Sequence, residues 1–232
     1  SMMVRLIGLL AAVTAVGFGI AVGIRADRAE TRIQAQWPPV GKFVDVDGTP
    51  VHYVQQGAGP DVVLIHGAGG NLRDFTFDLV GKLAPHYLVT AFDRPGLGYT
   101  ARASADYGGA FTGAGESPQV QAALLARAAS LLGIEKPVVV GHSFGGAVAM
   151  AWALDHDAAA VVGLGGAIMP WPGAIDLQYR VLGSALGGAL LPPLATAFLP
   201  PERTGPILDG IFAPQTVPER YADHMGAGLA LR

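Results

Sequence analysis

Gly141-His142-Ser143-Phe144-Gly145 sets one hydroxyl between two glycines. The five residues follow the apolar run Val138 to Val140 and open a helical pattern containing Ala147 to Leu154, so Ser143 falls on a strand-to-helix turn. The backbone of a serine on such a turn is strained. Glycine at Gly141 and Gly145 lets the neighbouring chains pack where a Cβ would clash. The Ser143 Oγ is then expected at the carboxyl edge of a sheet, exposed for attack on an acyl carbon, with φ and ψ outside the ordinary regions. A helix N-terminus presents backbone donors, and the N–H of Phe144 is placed to stabilise a developing oxyanion. The bland alternative is a Gly-rich turn carrying an incidental serine; the strand before it and the helix after it favour the nucleophile.

An oxyanion needs two converging donors. His66-Gly67-Ala68-Gly69-Gly70 directly follows the apolar run Val62 to Ile65, and the N–H of Ala68 is the natural complement to that of Phe144. A phosphate cradle is the rival for such a loop, but neither G-x-G-x-x-G nor a Gly-Lys-Ser/Thr ending occurs in it. His66, fixed at a strand end among backbone groups, is expected to be a hydrogen-bonding member of the loop rather than the catalytic base. His142 is expected to point away from Ser143 and to pack or line the entrance.

Several elements must hold these two loops together. Phe43 to Val46 and Val51 to Val54 flank the turn-forming Asp47-Gly48-Thr49-Pro50 and predict an antiparallel hairpin. Val62 to Ile65, Leu88 to Phe92, Val138 to Val140 and Val161 to Leu164 are nearly continuous apolar runs of the kind buried on both faces, which predicts parallel strands. Helical patterns lie at Arg73 to Leu83, at Pro118 to Leu132 with Ser117 as N-cap, and at Phe144 to Asp155. This alternation predicts an α/β fold, a doubly wound and mostly parallel sheet with helices on both faces. Ala103 to Gly115 reads as a polar, Gly-rich loop. Beyond Met169 the pattern turns to Pro-punctuated helices, Ala174 to Leu190, Thr204 to Phe212 and Pro218 to Leu231, and predicts a partial helical lid. The organisation expected is a membrane segment with its flanks over 1–32, a core over 33–168 and a lid over 169–232.

Taken together, the motifs resemble the α/β-hydrolase superfamily in its lidded branch of esterases, epoxide hydrolases, haloalkane dehalogenases and cofactor-independent haloperoxidases. The resemblance covers Gly41 to about Ala167. It rests on His66-Gly67 after the third strand, Asp93-Arg94-Pro95-Gly96-Leu97-Gly98 after the fourth and Gly141 to Gly146 after the fifth. It implies a serine hydrolase of carboxylic esters or related small acyl substrates, with Asp93 and Arg94 tying down a structural turn and no metal or organic cofactor. Epoxide hydrolases and dehalogenases carry an Asp where this chain has Ser143, so their alkyl-enzyme chemistry does not carry over. The family also implies an acid and then a histidine beyond two later strands. Neither is identifiable here: His156 is at the far end of its helix, His224 is in the lid, Asp155, Asp157, Asp176 and Asp223 are no better placed, and Gly166 to Trp171 contains no carboxylate. The expectation is a chain truncated before its catalytic acid and histidine, and nearly inactive as given. A non-catalytic binding protein of the same fold and a peracid-forming perhydrolase are the alternatives.

Composition bounds the rest. Hydrophobic residues are 51% and charged residues 14% of 232, with a net charge of -3, which argues against disorder, coiled coil and nucleic-acid binding. The absence of Cys excludes disulfides, thiolate nucleophiles and cysteine-bound zinc. Leu6 to Ile24 carries no charge between Arg5 and Arg25 and would span about 28 Å as a helix, the thickness of a bilayer core. Residues 6–24 are therefore expected to anchor the chain in a membrane. Ala21 and Gly23 also satisfy a small-x-small cleavage pattern, so export after signal cleavage is the alternative. Arg25, Arg28, Arg32 and Lys42 outnumber Arg5, and an uncleaved anchor would leave the globular part on the cytoplasmic side. Trp37-Pro38-Pro39 reads as an interfacial aromatic followed by a stiff linker. Ser1 ahead of Met2, and Arg232 in mid-helix pattern, further suggest a chain that is not a complete reading frame.

Overall fold

The computed structural model describes residues 2–108, 112, 114–170, 173–174, 177–198 and 204–225. A long helix, α1 (Met2–Gln36), precedes the strands β1 (Lys42–Val46), β2 (Thr49–Gln56) and β3 (Asp61–Ile65). Two short helices follow, α2 (Arg73–Thr76) and α3 (Leu79–Leu83), then β4 (Leu88–Phe92), α4 (Pro118–Leu131), β5 (Val138–His142), α5 (Phe144–Asp155) and β6 (Ala160–Leu164). The segment after β6 carries α6 (Leu177–Leu182), α7 (Ala185–Phe198), α8 (Thr204–Phe212) and α9 (Tyr221–Met225).

The sheet runs β1-β2-β4-β3-β5-β6, antiparallel at β1-β2 and β2-β4 and parallel elsewhere. Because successive side chains of a strand alternate faces, β3 feeds two cores. Val63 and Ile65 pack with Leu125 of α4 and Val148 and Trp152 of α5; Val62 and Leu64 pack with Leu72, Phe75 and Val80 around α2 and α3. Helices thus cover both faces, as the continuous apolar runs require. The Asp47-Gly48 turn of the β1-β2 hairpin has positive φ at both residues, the geometry such a two-residue turn demands. Ser117 caps α4, its Oγ accepting from the Val120 N–H at 3.2 Å.

Four expectations need correction. The pattern Arg73 to Leu83 is two helices, because Asp78 leaves helical φ and ψ before α3 begins. The pattern Ala174 to Leu190 is likewise split. Ser184 restarts the chain after Gly183, its Oγ accepting from the Gly187 N–H at 3.1 Å, so Pro192 and Pro193 lie inside α7 instead of ending a helix. Ile175, Asp176 and residues 226–231 of the lid patterns, Ala110 within the Gly-rich loop, and Trp171 lie outside the described residues. Third, β6 is exposed along most of its length, because it pairs with β5 on one side and forms the sheet edge. Fourth, α1 continues to Gln36, and the stretch after it is docked onto the domain. The Trp37 carbonyl accepts from the Tyr99 hydroxyl, the Pro38 carbonyl accepts from the Arg73 guanidinium at 2.7 Å, and Trp37 Nε1 donates to the Asp223 carbonyl at 2.8 Å. Higher up, α7 packs along α1, where Arg25 Nε donates to the Ala197 carbonyl at 2.6 Å and the guanidinium lies 5.0 Å from the Phe198 ring centre. Among the described residues α1 is the one helix long and apolar enough to cross a membrane, a property that an anchor and a signal sequence share.

Candidate active site

Ser143 sits between β5 and α5 with φ 50° and ψ -120°. This left-handed φ with a ψ outside the αL basin is costly for any residue with a Cβ, of order 1–3 kcal/mol, and persists only where the surroundings over-determine it. They do so here. The Ser143 N–H donates to the Leu164 carbonyl at 3.1 Å, and its carbonyl accepts from the N–H groups of Gly146 and Ala167 at 2.9 and 2.8 Å. A Cβ on Gly141 would lie 2.1 Å from the Gly145 carbonyl oxygen, and one on Gly145 would lie 2.2 Å from the Ile65 carbonyl oxygen. Both glycines are therefore demanded by close backbone approach, and the second seats the start of α5 on the end of β3. The side chain of Ser143 is half-exposed, and among the described residues its hydroxyl has no hydrogen-bond partner.

The loop after β3 runs beside this turn. A Cβ on Gly67 would stand 3.0 Å from that of Ser143, so the Gly67 backbone lies against the serine, with exposed Ala68 next along the chain. Among the described residues the N–H groups of Ala68 and Phe144 make no hydrogen bond, which leaves two donors unspent on either side of Ser143. His66 is fully buried, and both ring nitrogens are occupied. Nε2 accepts from the Arg94 N–H at 2.9 Å, which puts the proton on Nδ1, donating to the Gly67 carbonyl at 2.9 Å. Burial, reinforced by the Arg94 charge, pushes the imidazole down to about 4, so it is neutral at physiological pH and has no nitrogen free to act as a base.

Arg94 joins the two loops. Its guanidinium donates to the Gly67 carbonyl at 2.9 Å and to Gln121 Oε1 at 2.8 Å, and its Cζ lies 4.9 Å from the Phe144 ring centre. Burial lowers its pKa to about 10, still well above neutrality. Asp93 holds the layer beneath, accepting from the Leu72 N–H at 2.7 Å, the Tyr99 N–H at 2.9 Å and His52 Nδ1 at 2.7 Å. One buried carboxylate thus fixes β2, the start of α2 and the turn after β4 relative to one another.

The profile of the alpha/beta hydrolase fold matches residues 60–190, a span that holds β3 and its loop, the Asp93-Arg94 turn and the strained serine. The chain belongs to the alpha/beta hydrolase fold family. Over 115 residues it is 41% identical to the dihydrolipoyllysine-residue acetyltransferase component of the acetoin cleaving system of Cupriavidus necator, a match covering 49% of this chain and 28% of that protein. Over 108 residues it is 33% identical to the pimeloyl-[acyl-carrier protein] methyl ester esterase of Vibrio vulnificus, covering 47% and 36%. These matches span about a third of the curated relatives' own length. Among solved structures, a bacterial membrane phospholipase A superposes with a TM-score of 0.60 at 22% identity, over 98% of this chain and 70% of that one, a likeness in fold.

Of the other described candidates of this hydrolase chain, His142 neighbours the serine and the rest lie apart from it. His142 is exposed and its ring lies beside the serine, with Nδ1 3.1 Å from the Gly67 Cβ position that the Ser143 Cβ approaches to 3.0 Å. His156 follows α5, about 18 Å along the helix from the elbow. His224 Nε2 pairs with the Thr76 hydroxyl at 2.9 Å, and its ring meets Phe77 edge-on. Asp155, Asp157 and Asp223 are exposed, and Asp176 lies outside the described residues. No cluster of three metal-ligating side chains occurs among the described residues. A cavity of about 800 Å³ lies at the carboxyl ends of α4 and α5, lined by Arg127, Trp152 and His156 among others, and is remote from Ser143. Sequence reasoning missed Asp74. It lies under the Gly70 backbone, accepts from the Tyr221 hydroxyl, and has its pKa raised by burial. No local spacing signals that pair, because its two members are 147 residues apart.

Proposed function

We propose that this chain carries the nucleophile half of a membrane-anchored serine hydrolase acting on carboxylic esters or related acyl substrates. Residues 33–168 form its core, 169–232 its lid, and residues 6–24 of α1 its anchor. The observation that carries the reading is the backbone of Ser143, strained at φ 50° and ψ -120° on a turn that frees the hydroxyl. In the reaction the Ser143 Oγ attacks the ester carbonyl carbon, the carbonyl oxygen gains the negative charge and accepts from the Ala68 and Phe144 N–H groups, and the alkoxide leaves with a proton. Water then hydrolyses the acyl-serine. His66 and Arg94 hold the Ala68 side of the oxyanion site, and Gly67, Gly141 and Gly145 give the backbones room to meet. The esterase among the relatives and the membrane phospholipase among the structural neighbours support an ester reacting close to a bilayer.

No imidazole among the described residues is hydrogen-bonded to Ser143, and a serine hydroxyl without a base is a weak nucleophile. The 232-residue chain is therefore proposed to be nearly inactive. A chain extended by the strand, acid, strand and histidine that the resemblance implies is expected to hydrolyse a p-nitrophenyl ester and to be labelled by a fluorophosphonate. Ser143→Ala is expected to abolish both. Labelling and turnover that survive Ser143→Ala in the extended chain would overturn the assignment. Full turnover by the 232-residue chain would overturn its inactivity, with His224 the first residue to replace.

A further inference from the structure

We propose that α1 carries, just outside the bilayer core, a binding site for the phosphate headgroup of an anionic phospholipid. The proposal rests on the reading of α1 as a membrane-spanning anchor and adds a lipid ligand to it. At about 100° per residue, Arg25, Arg28 and Arg32 fall within about 60° of arc on the helix. Val22, Ala26, Ala29 and Ile33 occupy an adjoining arc of the buried and half-buried face, which continues to half-buried Glu30, and exposed Asp27 lies beyond it. Charge is therefore segregated around the helix, and the arginine arc contains no acid. Ala21, Ile24, Arg25, Arg28 and Arg32 line a groove of about 430 Å³. It straddles the end of the uncharged run at Ile24 and the charge that closes it, Arg25. Arg28 and Arg32 stand about 4 and 10 Å farther along the axis, within reach of the headgroup layer for side chains of that length.

Arg25 is held in place by the lid. Its Nε donates to the Ala197 carbonyl and its guanidinium stacks on Phe198, which is itself exposed. The groove thus offers apolar surface at Ala21 and Ile24 for the start of an acyl chain and guanidinium donors above it for a phosphate. A lipid seated there would touch the residue that joins α1 to α7.

The test compares the full chain with an Arg28→Gln/Arg32→Gln variant in nanodiscs of phosphatidylcholine containing a minority of phosphatidylglycerol, with retained lipid counted by native mass spectrometry. Both side chains are exposed, so the variant is expected to fold, as circular dichroism checks. The wild type is expected to retain phosphatidylglycerol in preference to phosphatidylcholine, and the preference to fall about fivefold per arginine removed. Equal preference in the two chains overturns the site. Loss of the preference in millimolar inorganic phosphate overturns the lipid assignment in favour of a free-anion site. Flotation with neutral phosphatidylcholine vesicles separates the two levels: a wild type that floats without headgroup preference refutes the site alone, and one that does not float refutes the anchor as well.

Discussion

The neutral, buried His66 makes a stability prediction whose sign and size follow from its surroundings. Its folded pKa lies near 4 against 6.5 for the free side chain, because burial first and Arg94 second disfavour the charged form. As pH falls, the unfolded chain takes up a proton at this position before the folded one does, so the stability is complete above about pH 6.5 and is lost as pH falls toward 4. Between about pH 7.5 and 5 the loss works out at about 2 kcal/mol. Asp74, whose raised pKa acts in the opposite direction, is present throughout, so the comparison must be with a variant that keeps everything except the imidazole. His66→Gln serves, since an amide can accept from the Arg94 N–H and donate to the Gly67 carbonyl in place of the ring. Urea unfolding of both chains in detergent, followed by the fluorescence of buried Trp152, measures the difference. The variant, less stable at neutral pH, is expected to lose about 2 kcal/mol less than the wild type over that pH step. Parallel pH slopes would show that the buried imidazole is not held neutral, and the account of the loop would fail.

Gly145→Ala places a methyl group 2.2 Å from the Ile65 carbonyl oxygen and 2.6 Å from that of His66, backbone atoms that cannot yield cheaply. A cost of about 3 kcal/mol, read as a fall of roughly 10 °C in Tm, is expected. Tyr221→Phe removes the one hydrogen bond that opposes the upward shift of Asp74, and is expected to cost about 1–3 kcal/mol at neutral pH. The deficit should shrink as pH falls and the carboxyl protonates, which melting curves at two pH values check.

How much of this was legible in the chain depends on the range of the contacts involved. Leu88 to Phe92 and Phe144 to Asp155 were read with the bounds the structure has, because a nearly continuous apolar run and a Gly-flanked elbow are local patterns. The cap at Ser117 was legible for the same reason. Proline rules failed at α7, where a serine cap at Ser184 and packing on α1 outweigh two missing N–H groups. Trp37 was read as a membrane-interface residue, yet its indole and carbonyl are both engaged by the domain, through partners 186 and 62 residues away that no window of sequence relates to it. At the site itself the serine, the glycines and the Ala68 loop were visible as types at a spacing. The stacking of Arg94 on Phe144, which couples the two loops, joins segments that meet only after β4 and β5 have flanked β3 in the sheet.

The elbow also separates a hydrolase from a binding protein that merely keeps the fold. Glycine would occupy the φ and ψ of Ser143 without strain, so a chain under no chemical demand gains stability by having glycine there. The strain relieved is of order 1–3 kcal/mol, and the added freedom of glycine in the unfolded chain returns about 0.5–1 kcal/mol of it. The hydroxyl makes no hydrogen bond among the described residues that would offset its loss. Ser143→Gly is therefore expected to stabilise the protein by about 1 kcal/mol, a rise of 2–4 °C in Tm. In the extended chain the same variant is expected to abolish fluorophosphonate labelling. Stability and chemistry then pull in opposite directions at one residue, as they do where a site is maintained for its reactivity. A Ser143→Gly variant that melts lower than the wild type would mean that the serine is held for a structural role, and the nucleophile reading would lose its main support.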